Sequence, residues 1–134
     1  MNNEASLNHP LSTVSGVVDR TEIQDLLDFD KEYADSLFSK LVGLLEASAP
    51  RRIHEMRRAL AKRDLLQLER EAHALKSSAG NLGAFKVHIA SQELEDLASN
   101  EHVRGASHLI DALELQVNQA ISELRQLIED NHRP

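Results

Sequence analysis

The stretch Asp64–Gly83, DLLQLEREAHALKSSAGNLG, decides the fold. Leu65, Leu68, Ala72, Leu75, Ala79 and Leu82 recur in it at alternating spacings of three and four. That spacing lays one apolar stripe along a helix. Asp64 is a good N-cap and Gln67 completes its capping box. Gly83 suits the left-handed position past the C-terminus. His73 follows Ala72, so it points away from the centre of the stripe. Lys76, Ser77 and Gly80 stand three, four and seven residues beyond it and share its side of the helix. On this reading Lys76 is exposed. A glycine inside a helix costs roughly 0.5–1 kcal/mol against alanine, so Gly80 calls for a reason. Close approach by a partner is one, and close helix–helix contact is another.

Working outward, the same periodicity predicts three more long helices. Upstream, a helix opens near Asp30. It buries Tyr33 or Ala34, Leu37, Leu41, Leu44 and Ser48 or Ala49, with Phe38 and Leu45 flanking. Pro50 either starts a new helix or kinks a continuous one. Ile53, Met56 and Leu60 carry the pattern to about Ala61. Downstream, a helix over about Ala84–Ala98 buries Val87, Ala90, Leu94 and Leu97 beside Phe85 and Ile89. Its His88, Gln92 and Glu95 share a polar side that reads as plain surface. After a turn at Ser99–His102 the last helix begins between His102 and Ser107 and ends near Asp130. Leu113, Val117 and Leu124 line its buried side, with Leu109 or Ile110, Ala120 or Ile121, and Leu127 or Ile128. It spans roughly 30–35 Å.

Thr21 with Gln24 fits a capping box for a short helix over Glu22–Asp28. Residues 1–18 read as a flexible or loosely docked segment, though Leu11, Val14, Val17 and Val18 are able to cover a core edge. No alternating run is long enough to name a strand. The expected fold is all-α: an antiparallel up-and-down four-helix bundle over residues 19–130, with a short N-terminal capping helix and a tail at 131–134.

Composition narrows the function. The chain has 134 residues, a formal net charge of -7 and no cysteine. One domain is expected. Nucleic acid is a poor partner for so acidic a chain. There is no disulfide framework or thiolate metal site. No apolar run reaches membrane-spanning length and the N-terminus lacks a secretory pattern, so a cytoplasmic location is expected. The charge is polarised. Arg51–Arg63 carries six basic residues and one acid, whereas residues 87–130 carry nine acids and two bases.

An imidazole near neutral pH offers a lone pair that accepts a proton, ligates a metal or attacks phosphorus. Acid–base chemistry wants a concave site and an orienting carboxylate. Glu69, one turn before His73, is the candidate carboxylate, but a convex helix face makes no pocket. The histidines form no zinc-binding motif. A cation one turn from His73 suits phosphoryl oxygens. Nucleotide-binding patterns such as GxxxxGK[ST] are missing. A group that receives and passes a phosphoryl without drawing it from ATP fits these residues. A lone surface histidine is, however, most often inert.

The segment Ala72–Ala84, AHALKSSAGNLGA, resembles the signature of the histidine-containing phosphotransfer domain of bacterial phosphorelays. That pattern is a His, a Lys three residues on, small residues after it, and a Gly ten residues past the His. The Lys-Arg-Asp entry at 62–64 and the Leu-Glu pair at 94–95 are similar to the family as well. The resemblance implies that His73 is phosphorylated on the ring nitrogen remote from the backbone. It implies that Lys76 neutralises phosphoryl charge, that Ser77 and Gly80 keep the approach open, and that Gly83 forms the turn. Many members carry Gly where Ser77 stands. The implied partners are response-regulator receiver domains and a hybrid sensor kinase. The implied Mg²⁺ belongs to the receiver, and this chain needs no cofactor. Docking in the family uses an apolar patch from the preceding helix, for which Phe38, Leu41, Val42 and Leu45 are candidates. Arg57, Arg58 and Arg70 are candidates for steering. A phosphoryl carrier without kinase activity, acting as a monomer, is expected. The alternative is a helical adaptor or regulatory decoy that docks on a receiver or kinase without onward transfer.

Overall fold

The computed structural model describes residues 14–15, 18–19, 21, 23–24 and 37–131. Its long elements are α1 (Leu37–Ala61), α2 (Leu65–Asn81), α3 (Phe85–Ser99) and α4 (Ala106–Asn131). Contacts join α1 to α2, α2 to α3, α3 to α4 and α4 back to α1. The four helices therefore form a closed ring around one core, the expected four-helix bundle.

The α2 stripe packs as its spacing predicts. Leu68, Ala72, Leu75 and Ala79 are fully buried and Leu82 nearly so. Asp64 caps the helix by accepting a hydrogen bond from the Gln67 amide at 3.2 Å. In α3 the core takes Val87, Ala90, Ser91, Leu94 and Ala98, and in α4 it takes Ala106, Ile110, Leu113, Val117, Ala120 and Leu124. Leu97 is only partly buried, and Ile89 is 53% exposed.

The buried face of α1 differs from the sequence expectation by one residue. The core takes Phe38, Val42, Leu45, Ala49, Ile53, Met56 and Ala59, while Leu37 and Leu44 are exposed. The reason is that α1 runs unbroken through Pro50. A continuous helix must choose one stripe for its whole length. The 38/42/45/49 stripe continues into Ile53 and Met56, whereas the 37/41/44/48 stripe runs into Arg52 and Glu55. Pro50 is exposed, as is Glu46, whose carbonyl loses its N–H donor.

The three inter-helix turns use one device. Ala84 N–H donates to the Ala79 carbonyl at 3.0 Å and Gly83 N–H to the Gly80 carbonyl at 3.1 Å. Asp64 with Ala59 and Arg63 with Leu60 repeat this pairing, as do His102 with Leu97 and Glu101 with Ala98. Each is a Schellman closure with a left-handed residue at its corner. Gly83 (φ 69°) takes that corner in one turn, but Arg63 and Glu101 (φ 58° each) take it in the others. Arg63 and Glu101 are exposed and Gly83 is buried, so the corner without a side chain is the one that lies inside the fold.

The N-terminal region departs from the all-helical expectation. Val14–Ser15 (β1) and Val18–Asp19 (β2) pair antiparallel. Runs this short carry no alternating signature. Asp19 N–H donates to the Gly83 carbonyl at 2.6 Å, and Val18 and Ile23 are buried in the main core. Val18 thus covers a core edge, and a boundary drawn after residue 18 cuts through the ladder. Thr21, Ile23 and Gln24 are helical, and the rest of the capping helix expected over Glu22–Asp28 lies outside the described residues. So do Tyr33, Ala34 and residues 132–134.

Candidate functional site

His73 sits midway along α2, on the side that leans towards α3. Its side chain is 59% exposed. Burying Ala72 and Leu75 on either side of it turns the ring outward. The ring Nδ1 lies 3.1 Å from Glu95 Oε2 on α3. A carboxylate only accepts, so Nδ1 carries the hydrogen. That leaves the lone pair on Nε2, for which no hydrogen-bond partner exists among the described residues.

Glu95 is shared. Its other oxygen, Oε1, lies 2.9 Å from Lys76 Nζ. Lys76 also donates to Gln92 Oε1 at 2.9 Å, and Gln92 Nε2 donates to Asp96 Oδ1 at 2.9 Å. Burial pushes the Glu95 carboxyl up, but hydrogen bonds from Lys76 and His73, and attraction to both, outweigh it. The net result holds the carboxyl below its ordinary value. It follows that Glu95 stabilises the fold when ionised. That contribution is complete above the ordinary carboxylate range and is lost as pH falls through the lowered folded value. Urea titrations of wild type and Glu95→Gln are therefore expected to differ at neutral pH and to converge on acidification. A gap that stays constant with pH would contradict the ion-pair network.

Two sequence expectations change here. Lys76 is not in open solvent: its side chain is 18% exposed, because the ammonium folds back onto α3. The carboxylate that orients the histidine is Glu95, not Glu69. The polar side of α3 that reads as plain surface is the second wall of the site. In a bundle the α2–α3 hairpin runs antiparallel, so Glu95, Gln92 and His88 meet His73, Lys76 and Gly80 in turn. The Leu-Glu pair at 94–95 was the available sign.

Gly80 makes room for a neighbour in its own bundle. His88 Nδ1 lies 3.2 Å from the Lys76 carbonyl, and a β-carbon at Gly80 would meet that nitrogen at 3.0 Å. Gly80 and Ser77 are nonetheless exposed and leave the surface beyond His73 low. Gly83 is the buried corner of the turn that ends α2.

The docking candidates separate. Phe38, Val42 and Leu45 are core residues at 2% exposure or less, and of the three Leu45 alone lines the groove described next. Leu41 is partly buried and lines a shallow groove of about 120 Å³ with Leu44, Ser48, Ser78 and Asn81. Leu44, 66% exposed, is the apolar side chain that the shifted α1 face turns outward. Arg57 reaches across to Asp111 and Glu114 on α4, at 2.6 Å each. Its seam is diagonally opposite the one holding His73, so it does not flank the imidazole. Arg58 pairs with Glu55 on its own helix, and Arg52 pairs with Glu71 on α2. Arg70 is exposed three residues before His73. Among the described residues no cluster of His, Cys, Asp and Glu could hold a metal ion, and no helix is long and apolar enough to cross a membrane.

The crystal structure of histidine-containing phosphotransfer protein B from Pseudomonas aeruginosa PAO1 superimposes with a TM-score of 0.75 at 21% identity. The match covers 90% of this chain and 100% of that one, and at this identity it is a likeness of fold. No curated protein sequence matches the chain. The family model of the Hpt domain matches residues 40–129, which span α2, its histidine and the α3 wall facing it. This chain belongs to the Hpt domain family of phosphorelay histidine phosphotransfer proteins.

Proposed function

We propose that this chain is a phosphorelay intermediate. It accepts a phosphoryl group on His73 Nε2 from the aspartyl phosphate of one receiver domain and passes it to the aspartate of another. The observation that carries this reading is the His73 ring, outward-facing and held at Nδ1 by Glu95, with Nε2 unbonded among the described residues. In the forward step the Nε2 lone pair forms the N–P bond while the P–O bond of the acyl phosphate breaks. The carboxylate leaves with the electron pair, and the Nδ1 proton stays on the ring. Glu95 keeps that proton in place and supports the positive charge that the ring gains on phosphorylation. Lys76 offsets charge on the phosphoryl oxygens. Mg²⁺ belongs to the receiver, and this chain contributes no nucleotide site, so it acts as a carrier without kinase activity. The groove beside Leu41 and Leu44 gives a docking receiver apolar ground. The expected partners are receiver domains and the hybrid kinase that carries one.

The test is incubation with a phosphorylated receiver domain, followed by analysis of the label. An acid-labile, base-stable phosphoryl group on this chain is expected, and a second, unphosphorylated receiver should then remove it. Label that enters but never leaves would favour the decoy. No label from several receivers would favour the adaptor.

A further inference from the structure

Lys76 stands between two acceptors of different kinds, and the choice between them sets where its ammonium sits. Glu95 Oε1 and Gln92 Oε1 are each 2.9 Å from Nζ. The orientation of the Gln92 amide follows from its partners. Asp96 only accepts, so Gln92 must turn its NH₂ group to Oδ1, 2.9 Å away. Lys76 only donates, so the amide oxygen must face Nζ. Each end of Gln92 therefore enforces the other, and the chain Lys76 to Gln92 to Asp96 has a single direction. Gln92 lies one turn of α3, roughly 4.5 Å, from Glu95. It holds the ammonium midway along the seam, at the same distance as the Glu95 carboxylate that also serves the histidine. Nζ donates to Gln92 and is ion-paired to Glu95, which leaves it N–H capacity for a further acceptor.

Resting on the carrier reading above, we propose that Gln92, oriented by Asp96, is a positioning residue for phosphoryl transfer. It holds the Lys76 ammonium beside His73 with one N–H available to an oxygen of the incoming phosphoryl group. Without it Glu95 is the acceptor left to the ammonium among the described residues, and its side chain, 17% exposed, lies deeper than the His73 ring. Gln92 exchanges no proton. Gln92 acts only through Lys76.

The experiment is single-turnover transfer from a phosphorylated receiver, measured against receiver concentration. Gln92→Leu is expected to lower the limiting rate about tenfold while leaving the half-saturating concentration unchanged. In a Lys76→Ala background the same substitution is expected to have no further effect. The charge-neutral exchange Gln92→Glu with Asp96→Asn rebuilds the chain, since the new amide donates to the new carboxylate and that carboxylate accepts from Lys76. It should recover the rate to within about threefold of wild type. Independently of transfer, the Lys76 Nζ resonance in ¹⁵N NMR should shift in Gln92→Leu and return in the exchanged pair. A wild-type limiting rate in Gln92→Leu, equal slowing with and without Lys76, or an unmoved Nζ resonance each overturns the assignment. Absence of label on the wild-type chain overturns the carrier reading instead.

Discussion

Replacing His73 with glutamine is expected to abolish phosphoryl labelling of this chain by a phosphorylated receiver. The amide has no lone pair basic enough to form a lasting N–P bond, so the loss is complete, not graded. The side chain remains able to donate to Glu95 from its NH₂ group, so the carboxylate keeps a partner in place of Nδ1. The ring is more than half exposed and contributes little to the core. The melting temperature should therefore move by less than about 3 °C. Scintillation or Phos-tag detection after a fixed incubation, with circular dichroism on the same samples, reads both quantities. Label persisting on His73→Gln would transfer the chemistry to another histidine, with His88 the first to examine.

The second large effect is on the scaffold. Leu75 is fully buried two residues beyond His73, on the opposite side of α2. Leu75→Ala removes its burial and leaves a cavity that four packed helices cannot easily close. A loss of about 3 kcal/mol is expected. For a domain of this size that lowers the melting temperature by roughly 10–20 °C. At a temperature where the variant is still folded, its labelling rate should match wild type, because Leu75 faces the core while the His73 ring faces the other side of α2. A strong fall in labelling with only a small fall in stability would mean that the core stripe does more than hold the rod.

These two residues mark what periodicity conveys and what it does not. Leu75 is legible because a buried stripe repeats, and α2, α3 and α4 were readable for that reason. On α1 two apolar stripes ran side by side, and only the continuity of the helix through Pro50 chose between them. That choice is made at Pro50 and beyond, nine residues from Leu41 and six from Leu44, so a local reading missed it. The histidine was legible because its motif lies within one helix. Its carboxylate was not, since Glu95 is 22 residues away and becomes a neighbour only when α2 and α3 pair. Ser91 was missed likewise: a polar residue is buried there because its small size, not its polarity, suits the core. The β1–β2 ladder depends on a backbone contact to Gly83, which no side-chain pattern reports.

That contact bears on how the protein is handled. The hydrogen bond between Asp19 and Gly83 staples a leading hairpin to the corner where α2 ends, and Val18 and Ile23 plug the same interior. The stretch matched by the family model starts at residue 40, well past both plugs. An expression clone trimmed to that match would uncork the bundle at the end nearest Gly83, leaving greasy sockets open to water. Fusion tags and shortened versions should therefore be joined upstream of Val14.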